Sequence, residues 1–440
     1  MTASGLSIGV PSRRGFAALA LAASSAFFSP SLAVALGLAV AGLAALDRLL
    51  ARRADRLGHA LDLTLDVPRV LPQKATGVAT LHAVNRGPSE AIVRCALDLS
   101  TALAGAGAEA VRTLVLPPRS RATAVFPLQA RERGVVRLTT LHVRELGPLR
   151  LFWCQRRVAL DTTVEVRPFA AAGKDAATKS ARLQRIGMHS VRARGDRGEF
   201  ESLRSYVRGD DPRRLDWKAT AKRRALTVRR YQDERSQSVM LVIDAGRLMI
   251  DRIDGMSRLD WAVAAAGALA AAARAWSDSI GVMVFADEVQ AFLPPGNHPA
   301  DRITQLLTRA TARRVEPNYP RALVTLARSL KRRSLVVLLG EVIDREVSAP
   351  VAAHLAQLAG RHLPLFVALR HPELQAQSIA PAVDPASLMR RVAATELLLA
   401  RQKALEAMKQ NGIQVVDALP SASLDALVER YLRIKRGGAL

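Results

Sequence analysis

The feature that most constrains this chain is a run of 32 residues, Gly15 to Leu46, without one charged side chain. A water-soluble fold rarely tolerates so long an uncharged stretch, whereas a bilayer requires one. As a single straight helix it would reach roughly 48 Å, well beyond a hydrocarbon core of about 30 Å. Ser29, Pro30 and Ser31 interrupt the run near its middle, and proline ends or kinks a helix. The spacing therefore predicts two short helices, Gly15–Phe28 and Ser31–Leu46, forming a hairpin in a membrane anchor that spans 1–57. Arg13 and Arg14 precede the run, and Arg48, Arg52, Arg53 and Arg56 follow it. Basic residues on both flanks favour a hairpin with both ends, and the soluble domains, in the cytoplasm of a bacterial inner membrane. The competing reading is a twin-arginine export signal at Ser12-Arg13-Arg14-Gly15-Phe16, cleaved near Ala33-Val34-Ala35.

Beyond the anchor the apolar period changes twice. From 58 to 168, short alternating runs are separated by turn signals such as Asn85-Arg86-Gly87-Pro88 and Pro117-Pro118. Seven such strands, at Leu61–Val67, Gly77–Val84, Ala91–Leu97, Arg112–Leu116, Ala122–Leu128, Val135–Val143 and Thr163–Val166, predict a β-sandwich-like domain. From 238 to 440, continuous apolar strands alternate with amphipathic helices, beginning with Ser238–Asp244 and ending with a helix at Ser421–Arg436. That alternation predicts an α/β, doubly wound parallel sheet covered on both faces. Any ligand site in such a sheet lies beyond the carboxyl ends of its strands, where Asp244 closes the first.

Between these domains, 169–237 holds a linker and a dense strip, Gly195 to Tyr231. Sixteen Lys or Arg and eight Asp or Glu fall between Ala181 and Arg235, interleaved with Phe200, Tyr206, Trp217 and Tyr231. A solvated linker favours Gly, Ser and Pro, so aromatics among these charges point to packing, with Trp217, Tyr206 and Phe200 expected to bury against the α/β domain. The strip resembles the signature of the domain-of-unknown-function family fifty-eight, matched by Glu199, Phe200, Leu203, Arg204, Tyr206, Gly209, Asp210, Asp211, Arg213, Asp216 and Trp217. The Arg131-Glu132-Arg133-Gly134 turn, the Ala368-to-Glu373 segment and the closing Tyr431-to-Arg436 segment are similar to further pieces of that family. The resemblance implies paired membrane helices, a β-rich segment and a terminal von Willebrand factor A-like, Rossmann-like domain. It also implies a MoxR-type AAA+ ATPase as protein partner.

Von Willebrand A domains hold a divalent cation on an Asp-x-Ser-x-Ser loop, a Thr and a later Asp. Here Asp244 remains as a degenerate remnant, but Gly246 and Leu248 replace the serines, no Thr stands in Glu316–Tyr319, and Gly340-Glu341 follows the later strand. Hard cations need several converging oxygens, so no metal and no cofactor are expected. Two cysteines, Cys95 and Cys154, make neither a disulfide framework nor a zinc site. No phosphate-binding loop, nucleophile elbow or zinc helix occurs. Asp210-Asp211 could serve as a hydrolase's acid and base, yet Gly209-Asp210-Asp211-Pro212 is first a turn, held with Arg204 and Arg213. The net charge of +25 invites nucleic acid or anionic lipid. Acids interleaved with the strip's bases make nucleic acid the weaker reading. The sequence thus leads to a membrane-anchored, non-enzymatic scaffold, with a polyanion binder or a hydrolase as alternatives.

Overall fold

The computed structural model describes residues 3–27, 29–56, 61–105, 111–169, 199–207, 215–232, 237–342 and 345–437. The chain divides into two compact units, Met1–Arg167 and Pro168–Leu440.

The first unit begins with β1 (Ala3–Pro11), α1 (Arg13–Ser24) and α2 (Pro30–Arg56). The break falls where Ser29 and Pro30 interrupt the uncharged run, and Pro30 takes the first position of α2. At 12 residues, α1 reaches only about 18 Å. The stretch Pro30–Asp47 of α2 is apolar enough for a membrane span, with a mean hydropathy of 1.8 over 18 residues. The candidate cleavage sequence at Ala33–Ala35 lies inside this helix.

The remaining strands are β2 (Leu61–Asp66), β3 (Val70–Pro72), β4 (Thr76–Asn85), β5 (Ala91–Leu97), β6 (Leu103–Gly105), β7 (Val111–Leu116), β8 (Arg121–Ala130), β9 (Gly134–Leu146) and β10 (Phe152–Arg167). They form two sheets, β1-β10-β9-β5-β7 with β3 beside β10, and β2-β4-β8-β6. Alternate side chains such as Leu81, Val93, Leu128, Leu141 and Val164 share one core, which is why the period-two pattern was readable. The expected strand at Thr163–Val166 is only the end of β10. Its first half escaped sequence reading because Arg156 and Arg157 sit together and blur the alternation.

Both helices meet this unit at one turn between β9 and β10. Ser12, which caps α1, donates its hydroxyl to the Arg150 carbonyl at 2.7 Å and its N–H to the Leu151 carbonyl at 2.8 Å. Asp47 of α2, 1% exposed, accepts from the N–H groups of Leu149 at 2.8 Å and Phe152 at 3.2 Å. A Cβ at Gly147 would lie 2.4 Å from the Asp47 carboxylate, so this position has room only for glycine.

The second unit opens with the strip. There β11 (Glu199–Ser205) pairs antiparallel with β12 (Thr227–Gln232), and α3 (Trp217–Arg223) lies between them in sequence. Next come β13 (Ser238–Asp244), the short ribbon β14 (Arg252–Ile253) and β15 (Met256–Ser257), α4 (Arg258–Ala275), β16 (Ser279–Phe285) and β17 (Val289–Gly296). Then follow α5 (Ala300–Arg309), α6 (Tyr319–Ser329), β18 (Ser334–Leu339), α7 (Arg345–Ala359) and β19 (Leu363–Leu369). The unit closes with α8 (Pro372–Ile379), α9 (Pro385–Gln410), β20 (Gln414–Ala418) and α10 (Pro420–Arg436).

One six-stranded sheet runs β17-β16-β13-β18-β19-β20, parallel throughout except for β17. Alternate residues of β13 feed two cores: Val239, Leu241 and Ile243 pack with α4, α5 and α10, while Met240 and Val242 face α6, α7 and α9. Burial on both faces explains the continuous apolar runs. The edge strand β17 was not anticipated, because Pro294-Pro295 reads as a turn and an edge is where a strand tolerates proline. Nor was α7 expected to run through Pro350 from Arg345.

Asp278, just before β16, fastens α10 to the sheet. Its carboxylate accepts from the Gln237 N–H at 2.8 Å, the Tyr431 hydroxyl and the Lys435 ammonium, and its side chain has no exposed surface. Tyr431 is itself fully buried. Tyr431→Phe should therefore lower unfolding stability by about 2 kcal/mol, the scale of a hydrogen bond to a buried charge. Denaturant titration checks this, and an unchanged midpoint would refute the role given to Asp278.

Candidate functional site

At the carboxyl edge of the sheet, winding reverses between β13 and β18, the place where open α/β sheets leave a crevice. Asp244 ends β13 here and is 1% exposed. One carboxylate oxygen accepts from the Gly246 N–H at 2.7 Å and the other from the Tyr319 hydroxyl at 2.6 Å. Gly246 is required by space: a Cβ there would sit 2.7 Å from the Pro317 ring. A serine at 246 would meet that ring. Tyr319 starts α6, which Asn318 caps by accepting from the Arg321 N–H at 3.0 Å.

The neighbouring strand ends carry alternating charges. Glu341, after β18, accepts from Arg258 at the start of α4 and from Arg401 of α9, the latter at 2.9 Å. Arg401 also donates to Asp417 of β20 at 2.9 Å, and Arg370, after β19, reaches the other Asp417 oxygen at 3.1 Å. The side chains of Arg258 and Glu341 are 7% and 6% exposed. Beside them lies a cleft of about 290 Å³ with Leu248, Leu374, Leu397 and Leu398 on its walls. His371 also lines it, and burial, then the Arg258 charge, push its imidazole below the usual range.

The structure brings Asp244 together with Tyr319, Gly246 and Gly340, and places Glu341 in the adjoining ladder. Among the described residues no cluster of three or more His, Cys, Asp or Glu is arranged to hold a metal ion. Sequence reading missed Tyr319, Arg258, Arg401 and Asp417. The ladder partners lie 16 to 83 residues apart, with no local motif joining them.

In the strip, Leu203 and Tyr206 are half-buried and Arg204 is exposed, donating to the Ser205 carbonyl at 3.2 Å. Glu199 and Phe200 open β11, Phe200 opposite Tyr231. Asp216 caps α3, accepting from the Ala219 N–H at 3.0 Å. Gly209, Asp210, Asp211 and Arg213 lie outside the described residues. The expected burial of Trp217 is corrected: it is 70% exposed at the first position of α3. In the same strip the buried side chains are instead Thr227 and Val228 of β12, 2% and 3% exposed.

The fold and site define a two-unit chain whose mostly parallel sheet carries a sealed, internally paired charge centre at its carboxyl edge. Residues 202–415 match the family described as "Protein of unknown function DUF58", and this match supports that family for the chain. No curated protein matches. Among solved structures, the chain is similar over 24% of its length to the CARDB domain of the PF1109 protein from Pyrococcus furiosus, at 17% identity, 88% coverage of that chain and a TM-score of 0.16. It is similar over 25% of its length to a β-glucosidase from Listeria innocua, at 14% identity and a TM-score of 0.16, spanning 16% of that protein. A third likeness, over 24% of the chain and 84% of the other, is to the cupredoxin domain of amoB from Nitrosocaldus yellowstonii, at 12% identity and a TM-score of 0.17. These likenesses are too slight to define a fold.

Burial pushes the Asp244 carboxyl up from 3.8 to about 6, against the Tyr319 and Gly246 hydrogen bonds, with Glu316 and Glu341 adding to the rise. The folded value lies above the unfolded one, so proton binding favours the folded state. This contribution is complete below about pH 4 and lost as pH rises through about 6, a change of about 3 kcal/mol. Asp244→Asn should remove it: relative to wild type, the variant gains stability between those pH values and then levels off. Thermal melts across the window read the difference. Glu341→Gln should cost about 3–5 kcal/mol, because Arg258 is left sealed without its counter-charge. A loss under about 1 kcal/mol would mean that solvent reaches the pair.

Proposed function

We propose that this chain is a membrane-anchored, non-enzymatic adaptor. On this reading the second unit is a degenerate von Willebrand factor A-like domain that docks a protein partner. The observation that carries it is Trp217, a large aromatic held 70% exposed on a capped helix inside the signature strip. Exposed tryptophan on a fixed element is the residue type most often found at the centre of binding energy in protein interfaces. Val207 and Leu226, 62% and 49% exposed, belong to the same strip. The strand order, counted along the chain as 3-2-1-4-5-6 with an antiparallel third strand, supports the A-like assignment.

The sealed centre supports an adaptor over a cation-dependent binder. Asp244 and Glu341 have their oxygens engaged by protein donors, which leaves little for a metal ion or a substrate proton. The apolar helix α2 supports the anchor, with the soluble units on the cytoplasmic side of a bacterial inner membrane by the flanking-charge argument. The expected partner is a MoxR-type AAA+ ATPase, from the family resemblance.

The test is capture from solubilised membranes with the full chain, with and without ATP, followed by identification of what is bound. Wild type should retain an AAA+ ATPase. Trp217→Ala should weaken capture about thirtyfold, the scale of losing a 2 kcal/mol hot spot, while its melting curve stays unchanged. Equal capture by the variant, or no ATPase under either nucleotide condition, would refute the proposal.

A further inference from the structure

The tip of the α8–α9 hairpin is apolar and stands free. Ile379, Val383, Leu388 and Met389 are 77%, 91%, 50% and 72% exposed. Every residue from Leu388 to Ala393 is exposed, so the start of α9 is open around its whole circumference rather than along one face. A protein groove covers one face of a helix; a fluid surrounds it. Four large apolar side chains within eleven residues also exceed the scattered single exposures normal on a surface.

Charge is ordered along the same tip. Between Glu373 and Glu396 the only acid is Asp384, and it is turned to local use: its carboxylate accepts from the Ser387 N–H at 2.5 Å as the cap of α9. Directly after Leu388 and Met389 come Arg390 and Arg391, both exposed. An apolar tip backed within one turn by two permanent cations is the arrangement of an interfacial element. Its hydrocarbon lies below the phosphates and its guanidiniums lie among them. Helix α2 supplies a candidate span in the same chain, so such a contact would form within one molecule at high effective concentration.

From this we infer that the α8–α9 tip inserts into the surface of an anionic phospholipid bilayer, as a second membrane contact apart from the N-terminal helices. It shares the membrane location with the adaptor reading but not the partner, and needs neither Trp217 nor an ATPase.

The full chain, reconstituted into vesicles, tests this with an environment-sensitive fluorophore on Val383→Cys. Cys95 and Cys154 are buried, and burial raises the Cys95 thiol to about 11, so labelling falls on the new site. In phosphatidylcholine vesicles containing phosphatidylglycerol, lipid-borne nitroxide should quench the label at 383 and aqueous iodide should not. A label on Val324→Cys of α6 should behave in the opposite way. Replacing both arginines (Arg390→Gln, Arg391→Gln) should lower the inserted-to-free ratio about thirtyfold at low salt. Iodide quenching at 383 in every vesicle would overturn the inference. So would a label shielded from both quenchers, since a protein surface would then cover the tip.

Discussion

Glu341 is the constraint on which the carboxyl edge of the sheet depends. A carboxylate sealed at 6% side-chain exposure costs several kcal/mol unless cations and hydrogen bonds meet it. Arg258 and Arg401 do so from helices separated by the whole middle of the domain, and Arg401 then needs Asp417, which Arg370 completes. The result is a chain of alternating charge across the ends of β18, β19 and β20. It fixes α4 and α9 against the strands and occupies the region where a sheet of this winding would otherwise offer free acids to a ligand.

The same economy shapes the outer surface. Among the described residues, Asp47, Asp244, Asp260, Asp278 and Glu341 are buried, while Arg258 is the one buried arginine. Acids work inside as caps, clamps and counter-charges, so the solvent-facing surface is more basic than the net charge of +25 alone conveys. Its attraction for anionic surfaces follows from which charges folding hides as much as from composition.

Much of this architecture was legible in the sequence, for a physical reason. Strands buried on both faces must be continuously apolar, so β13, β18 and β19 declared themselves, and the sandwich strands showed their alternation. The site was legible only at Asp244, Gly246 and Gly340-Glu341, not in the groups that pair with them. Tyr319 meets Asp244 across 75 residues and Arg258 meets Glu341 across 83, distances that local pattern does not encode. Trp217 shows the opposite failure. An aromatic among charges reads as a packed side chain, but the strip buries Thr227 and Val228 and leaves the indole outside.

The clamp at Gly147–Phe152 gives the N-terminal helices a mechanical meaning. Because Ser12 and Asp47 both fasten to the single turn joining β9 and β10, tension on either helix reaches that turn, and for α1 also the β1–β10 pairing that precedes it. From there it runs along the longest ladder of the sandwich, Trp153 opposite Leu146 through Val166 opposite Gly134. Strands loaded along their length share the force over many hydrogen bonds, so the pair of helices acts as one stiff handle on the sandwich rather than two independent strings.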